Sequence, residues 1–243
     1  MKLESITHPA PLDTVLIHGA GETNVLWKWT MEGLSGPGTA FAVNLPGHPT
    51  GELTCKTIQD YSRAVLNFIE ENGLRPAVVG HSMGGAVALQ LALDNPEIVS
   101  GLVLIGTGAK LGVLPDIISG LRDSPLSVIE KVITPRSFYR LDIETARLAR
   151  SALAISNPAV FLNDYTACSS FDVRHRLRDV RARTLIICGE RDELTPPRWS
   201  HYLHQNILSS RLYIVKDAGH MLPFEKPELC SRLVQSFLEE VSL

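Results

Sequence analysis

Apolar residues fall along this chain in two alternating rhythms. Short continuous runs, rich in β-branched and aliphatic residues, occur at Thr14-Val15-Leu16-Ile17, Phe41-Ala42-Val43-Asn44, Ala77-Val78-Val79, Gly101-Leu102-Val103-Leu104-Ile105, Thr184-Leu185-Ile186-Ile187-Cys188 and Leu212-Tyr213-Ile214-Val215. Between them lie amphipathic stretches. In Ile58–Glu71, Ile58, Tyr61, Val65, Phe68 and Ile69 share one helical face, and 84–95 is a small-residue apolar helix suited to close packing on a sheet. Pro197–Asn206 and Pro227–Val241 are two more helical patterns. Strands apolar on both faces, alternating with helices, predict a mostly parallel sheet covered on both sides, an α/β fold.

The rhythm breaks once. From 111 to 178 no buried-strand run occurs, only helix-like pieces at 115–121, 127–132, 143–155 and 159–166, punctuated by Pro125, Pro135 and Pro158. This predicts a core domain built from 1–110 and 179–243, with 111–178 as a helical insertion after the fourth apolar strand.

Composition narrows the class. With 44% hydrophobic and 20% charged residues over 243 positions, the chain can bury a sizeable core. A net charge of -3 and a pI near 6.2, with no Lys/Arg cluster, give no footprint for nucleic acid or an anionic membrane surface. No apolar stretch approaches the roughly 18 residues a membrane span needs. The first nine residues carry Lys2 and Glu4 but no apolar run, so they do not read as a secretory signal. Cys55, Cys168, Cys188 and Cys230 are scattered and form no C-x-x-C pair, which points to free thiols in a reducing compartment. The expected location is cytoplasmic.

The sharpest chemical signal is Gly80-His81-Ser82-Met83-Gly84, between an apolar strand and a helix. A serine on such a turn holds its hydroxyl above the sheet, and glycines two before and two after it leave room for the turn. A serine hydroxyl is a weak nucleophile alone and needs a base and an orienting acid. Two later strands run into loops that carry them: Gly189-Glu190-Arg191-Asp192 and Lys216-Asp217-Ala218-Gly219-His220. In a parallel sheet these loops emerge on one edge, at the strands' carboxyl ends. Ser82, Asp192 and His220 are therefore expected to converge as nucleophile, acid and base. Glu190, Glu193 and Asp217 are the rival acids; Asp192 is preferred because Glu190 lies close to the strand end and Asp217 on the histidine's own loop. The backbone N–H groups of Met83 and of Ala20, in His18-Gly19-Ala20-Gly21, are the expected oxyanion donors. Gly19, Gly21, His81, Trp27 and Met221 complete the expected substrate-contacting set, although Trp27 fits a core position equally well.

Together H-G-A-G-E, L-P-G-H, G-H-S-M-G-G, G-E-R-D-x-x-T-P-P and D-A-G-H resemble the α/β-hydrolase superfamily. The nearest flavour is that of small esterases, monoglyceride-lipase-like and carbon–carbon-bond-hydrolase-like members. The resemblance spans nearly the whole chain and implies the α/β-hydrolase fold, no cofactor, and a helical cap at 111–178 that lines the substrate pocket. Leu111, Leu114, Ile118, Phe138, Leu153 and Phe161 are its candidate lining residues. The chain departs from the pattern twice. Only 13 residues precede Thr14, room for one short edge strand rather than two, so a sheet of six or seven strands is expected. Asn44 also stands where the family often has Asp, in a turn expected to be structural.

The expected reaction is hydrolysis of a small to medium, partly apolar carboxylic ester through an acyl-enzyme on Ser82. Thioester, lactone and carbon–carbon cleavage are variants. A weakly active hydrolase-fold receptor is one alternative, and a cofactor-free acyltransferase or perhydrolase using the same serine is another. Dehalogenase chemistry is disfavoured because it needs a carboxylate at position 82. Gly19-x-Gly21-x-x-Asn24 departs from a dinucleotide loop at its third position. His201-x-x-His204 lacks a third ligand, so neither a dinucleotide nor a metal is expected. Oligomeric state has no signature in the sequence.

Overall fold

The computed structural model describes residues 3–140, 147 and 157–242. Seven strands form its sheet: β1 (Ser5–Ala10), β2 (Thr14–Ile17), β3 (Gly38–Val43), β4 (Ala77–His81), β5 (Gly101–Ile105), β6 (Arg183–Gly189) and β7 (Ser210–Val215). Their spatial order is β1-β3-β2-β4-β5-β6-β7. Only β1 runs antiparallel, pairing with β3, and it is an edge strand of the sheet. Pro9 is tolerated there because an edge strand can leave one N–H position unused.

Alternate residues of each strand feed opposite faces. Val15, Ile17, Val78, Leu102, Leu104 and Ile186 enter one apolar cluster, packed under the helices α2 (Ile58–Glu71) and α3 (Met83–Asp94). Leu16, Val79, Val103, Ile105, Leu185 and Ile187 enter the other, with α1 (Lys28–Glu32) and the C-terminal helix Pro227–Val241. All five residues expected on the apolar face of α2 are buried, and Thr57 and Asp60 close its N-terminus as a capping box.

Chain order reverses between β2 and β4: β3 lies on one side of β2 and β4 on the other. This is the switch point at which ligands settle in open α/β sheets. The loops that follow β2 and β4 are the His18-Gly19-Ala20-Gly21 loop and the Ser82 turn.

Between β5 and β6 the described helices are α4 (Pro115–Asp123), α5 (Pro125–Val128), α6 (Thr134–Ser137) and α7 (Pro158–Ser169), with a π-helical turn at Ile129–Ile133 and a 3-10 turn at Arg174–Asp179. Pro115, Pro125 and Pro158 occupy the first helical position, where a missing N–H costs nothing. Apart from residue 147, the helix expected at 143–155, and with it Leu153, lies outside the described residues. The segments entering and leaving this helical stretch meet at a bridge between Lys110 and Asp172. After it come α8 (Pro197–Asn206), α9 (Leu222–Glu225) and α10 (Pro227–Val241). All four cysteines are buried and unpaired, and no helix among the described residues is long and apolar enough to cross a membrane.

Candidate active site

Ser82 links β4 to α3 with φ 53° and ψ −118°, a conformation that costs a non-glycine residue strain and is held by its surroundings. Its N–H donates to Ile105 O at 2.9 Å, and its carbonyl accepts the Thr107 hydroxyl at 2.7 Å. The flanking glycines are required by space. A Cβ on Gly84 would meet Ile17 O at 2.2 Å, and one on Gly80 would meet Gly84 O at 2.2 Å.

His220 follows β7 and Asp192 follows β6. His220 Nδ1 lies 2.8 Å from Asp192 Oδ2, leaving Nε2 as the open nitrogen. Asp192 also accepts the Leu194 N–H at 2.9 Å, the Thr195 N–H at 2.7 Å and the Thr195 hydroxyl at 2.7 Å. Burial works against ionisation of Asp192, but the charge and hydrogen bond of His220, with those donors, outweigh it and hold the carboxyl below its usual range. Of the rival acids, Glu190, Glu193 and Asp217 are all exposed. The histidine loop is strapped from below and above: Glu225 Oε1 accepts the Gly219 N–H at 2.9 Å, and the Met221 N–H donates to Ser137 O at 2.9 Å.

The two expected oxyanion donors have one geometry in common. A peptide is planar and trans, so pinning its carbonyl aims its N–H the opposite way. Ser82 O, in the same peptide as Met83 N–H, is held by Thr107. Gly19 O, in the same peptide as Ala20 N–H, lies 2.9 Å from His18 Nδ1 and 3.3 Å from Glu22 N. The Ala20 N–H itself has no acceptor among the described residues.

Ser82, His220, Ala20 and Met221 line one cavity of about 340 Å³. Its apolar walls include Leu111, Leu114, Ile117, Ile133, Phe138 and Phe161, and Trp199 closes one side. Of the expected lining residues, Ile118 is replaced by Ile117, its neighbour on α4. Trp27 is a correction: it is fully buried in the core on the α10 side of the sheet and does not reach the cavity. Gly19, Gly21 and His81 also stand behind the cavity surface rather than on it. His81 is fully buried between Glu22 and His220.

Residues 14–233 match the model of the alpha/beta hydrolase family. The chain belongs to that family. A pimeloyl-[acyl-carrier protein] methyl ester esterase of Neisseria meningitidis is 28% identical over 93% of this chain and 93% of the relative. A thermophilic esterase of known structure superposes with a TM-score of 0.82 at 29% identity, covering 98% of each chain. An enol-lactonase from Burkholderia xenovorans LB400 shares the fold, with a TM-score of 0.88 at 21% identity over 97% of this chain and 96% of that one. This alpha/beta hydrolase is thus an enzyme of the esterase kind.

Several polar residues of the site were not singled out by the sequence. Thr107 acts through a hydrogen bond to Ser82 O, 25 positions away, whereas Thr195 stands inside G-E-R-D-x-x-T-P-P and donates to Asp192 three positions earlier. Glu22 is the last residue of H-G-A-G-E, but its partner His81 is 59 positions away. Asp164 sits on a helix whose apolar neighbours gave no reason to single it out. Among the described residues no three His, Cys, Asp or Glu side chains cluster as a metal site.

Proposed function

We propose that this enzyme hydrolyses carboxylic esters with a small to medium, partly apolar acyl portion through an acyl-enzyme on Ser82. The observation that carries the reading is the shared cavity: Ser82 and His220 open onto one apolar pocket while Asp192 holds the far nitrogen of His220 at 2.8 Å. In this mechanism Ser82 Oγ attacks the ester carbonyl and its proton passes to His220 Nε2. Asp192 keeps the imidazole oriented and balances its positive charge. The N–H groups of Ala20 and Met83 receive the oxyanion, each donor being worth about 10²–10³ in turnover. His220 returns the proton to the departing alcohol. Water then attacks the acyl-enzyme with His220 again as base, releasing the acid and restoring Ser82.

The apolar walls supplied by the insertion favour an aliphatic acyl chain. The Neisseria relative, which acts on a methyl ester of a pimeloyl chain, supports an acyl group of several carbons with a small alcohol. We further propose that the insertion, as cap, sets the acyl-length preference. A p-nitrophenyl and methyl ester series of graded acyl length, with fluorophosphonate labelling, tests both points. Wild type should label at Ser82 and favour medium chains over acetate. Equal hydrolysis by wild type and Ser82→Ala would sink the reading.

A further inference from the structure

Asp164 lies on α7, within the insertion, and its side chain is fully buried. Oδ2 accepts the Gly21 N–H at 2.8 Å and lies 2.8 Å from His48 Nε2, while Oδ1 accepts the Tyr61 hydroxyl at 2.5 Å. Three residues earlier on α7, Phe161 covers the α-carbon of Gly21. A Cβ there would lie 2.3 Å from the ring, and Gly21 has φ +67°. One helix of the insertion therefore grips the residue next to Ala20 on two sides.

A second route reaches the same peptide. His48 Nδ1 faces Pro46 O at 3.2 Å and Leu45 O at 3.3 Å, so with Nε2 turned to Asp164 both ring nitrogens face acceptors, as an imidazolium requires. The His48 ring lies against His18, with centroids 4.6 Å apart. The Leu45 N–H donates to His18 Nε2 at 3.0 Å, so that nitrogen is bare and the proton sits on Nδ1. Burial, and then the positive charge of His48, keep His18 well below its ordinary pKa, which preserves this neutral tautomer. Nδ1–H then donates to Gly19 O, the carbonyl that aims Ala20 N–H.

We infer that Asp164 and His48 are positioning residues for the oxyanion site, together orienting the Ala20 N–H from behind through Gly21 and through His18. The insertion then contributes to the chemical step as well as to substrate selection. This rests on the proposed acyl-enzyme reading, because the group being aimed is its oxyanion donor.

The test uses the full chain with Asp164→Asn and His48→Gln beside wild type and Ser82→Ala. The readouts are kcat and KM on one p-nitrophenyl ester, melting temperature, and affinity for a trifluoromethyl ketone, to which Ser82 adds as a hemiketal oxyanion. A misaimed donor should lower kcat about tenfold to a hundredfold with KM little changed, and weaken the trifluoromethyl ketone in proportion. Binding of the matching primary alcohol, which has no carbonyl oxygen and forms no oxyanion, should stay as in wild type. The inference is overturned if either folded variant loses activity only through KM, or keeps wild-type affinity for the ketone. If Asp164→Asn does not fold, His48→Gln decides on the same readouts. Wild-type turnover in Ser82→Ala would instead overturn the acyl-enzyme reading, so the two failures are distinguishable.

Discussion

His81 Nε2 lies 2.9 Å from the main-chain oxygen of His220, so the residue before Ser82 holds the loop that carries His220. Its other nitrogen, Nδ1, lies 3.1 Å from Glu22 Oε2, which also accepts the Gly19 N–H at 2.6 Å. One buried imidazole and one buried carboxyl thus tie together the three loops that carry Ala20, Ser82 and His220. Burial alone would lower the pKa of His81. The charge and hydrogen bond of Glu22, with the His220 carbonyl, more than reverse that and raise it.

Removing one member of such a pair should therefore cost more than removing both. Glu22→Gln leaves a buried imidazolium without its counter-charge and is expected to destabilise the fold by about 3–5 kcal/mol. Glu22→Gln combined with His81→Asn should lose clearly less than the sum of the two single changes. Urea denaturation of the four proteins gives the coupling directly, and strict additivity would show that the pair does not act as a unit.

Thr195→Val tests how Asp192 is held. The swap keeps the shape of the side chain while deleting the hydroxyl that donates to Asp192 Oδ2 at 2.7 Å and lies 3.1 Å from His220 Nδ1. Asp192 keeps its two backbone donors, so the loss should be partial: about one hydrogen bond to a charged group, 1.5–3 kcal/mol. If Asp192 orients the base, part of that should appear in kcat and leave KM nearly unchanged. Unaltered kcat with a lower melting temperature would assign Thr195 to stability alone.

Buried strands such as Gly101–Ile105 were legible because a sheet covered on both faces demands continuous apolar runs, and helices such as Ile58–Glu71 because one face alternates with solvent. β1 has no such imprint: it is an edge strand, largely exposed, interrupted by Pro9 and defined by its pairing with β3. That Ser82, Asp192 and His220 would stand at one edge of the sheet was legible because each follows a strand, and topology alone brings strand ends to one edge. Asp164, Thr107 and Glu22 were not, since each works through a partner far along the chain or through a backbone group that any residue possesses. Trp27 misled for a related reason: proximity in sequence to the Gly19–Gly21 loop says nothing about which face of the sheet a side chain enters.

Close approach of backbones makes a sharp prediction at Gly84. An added methyl would lie 2.2 Å from Ile17 O and 2.4 Å from His18 O, main-chain atoms at the end of a central strand that cannot move aside. Gly84→Ala should fail to give folded protein, or melt far below wild type. Gly112→Ala is the control: its new Cβ would lie 3.7 Å from Trp199, an ordinary contact, and its melting temperature should stay close to wild type. Similar melting of the two variants would contradict this account of the Ser82 turn.

Stability should also depend on pH through the two cationic histidines. Burial opposes the charge on His48, but the charge and hydrogen bond of Asp164, with the Pro46 and Leu45 carbonyls, raise its pKa, as Glu22 does for His81. Both therefore bind protons more tightly folded than unfolded. Their stabilisation is complete below the ordinary histidine value near 6.5 and is lost as pH rises through the raised folded values. His18, which faces His48, has the opposite sign. It stays neutral when folded, so its contribution is present above about 6.5 and lost as pH falls below it. Tyr61 and the buried thiols, all shifted upward, add a further loss only at higher pH, from about 8.5 for the thiols. Between about pH 6.5 and 8, urea midpoints should fall with rising pH, governed by His48 and His81. Asp164→Asn removes the counter-charge of His48, so its slope should be shallower than that of wild type. Identical slopes would mean that His48 does not carry its proton in the folded protein.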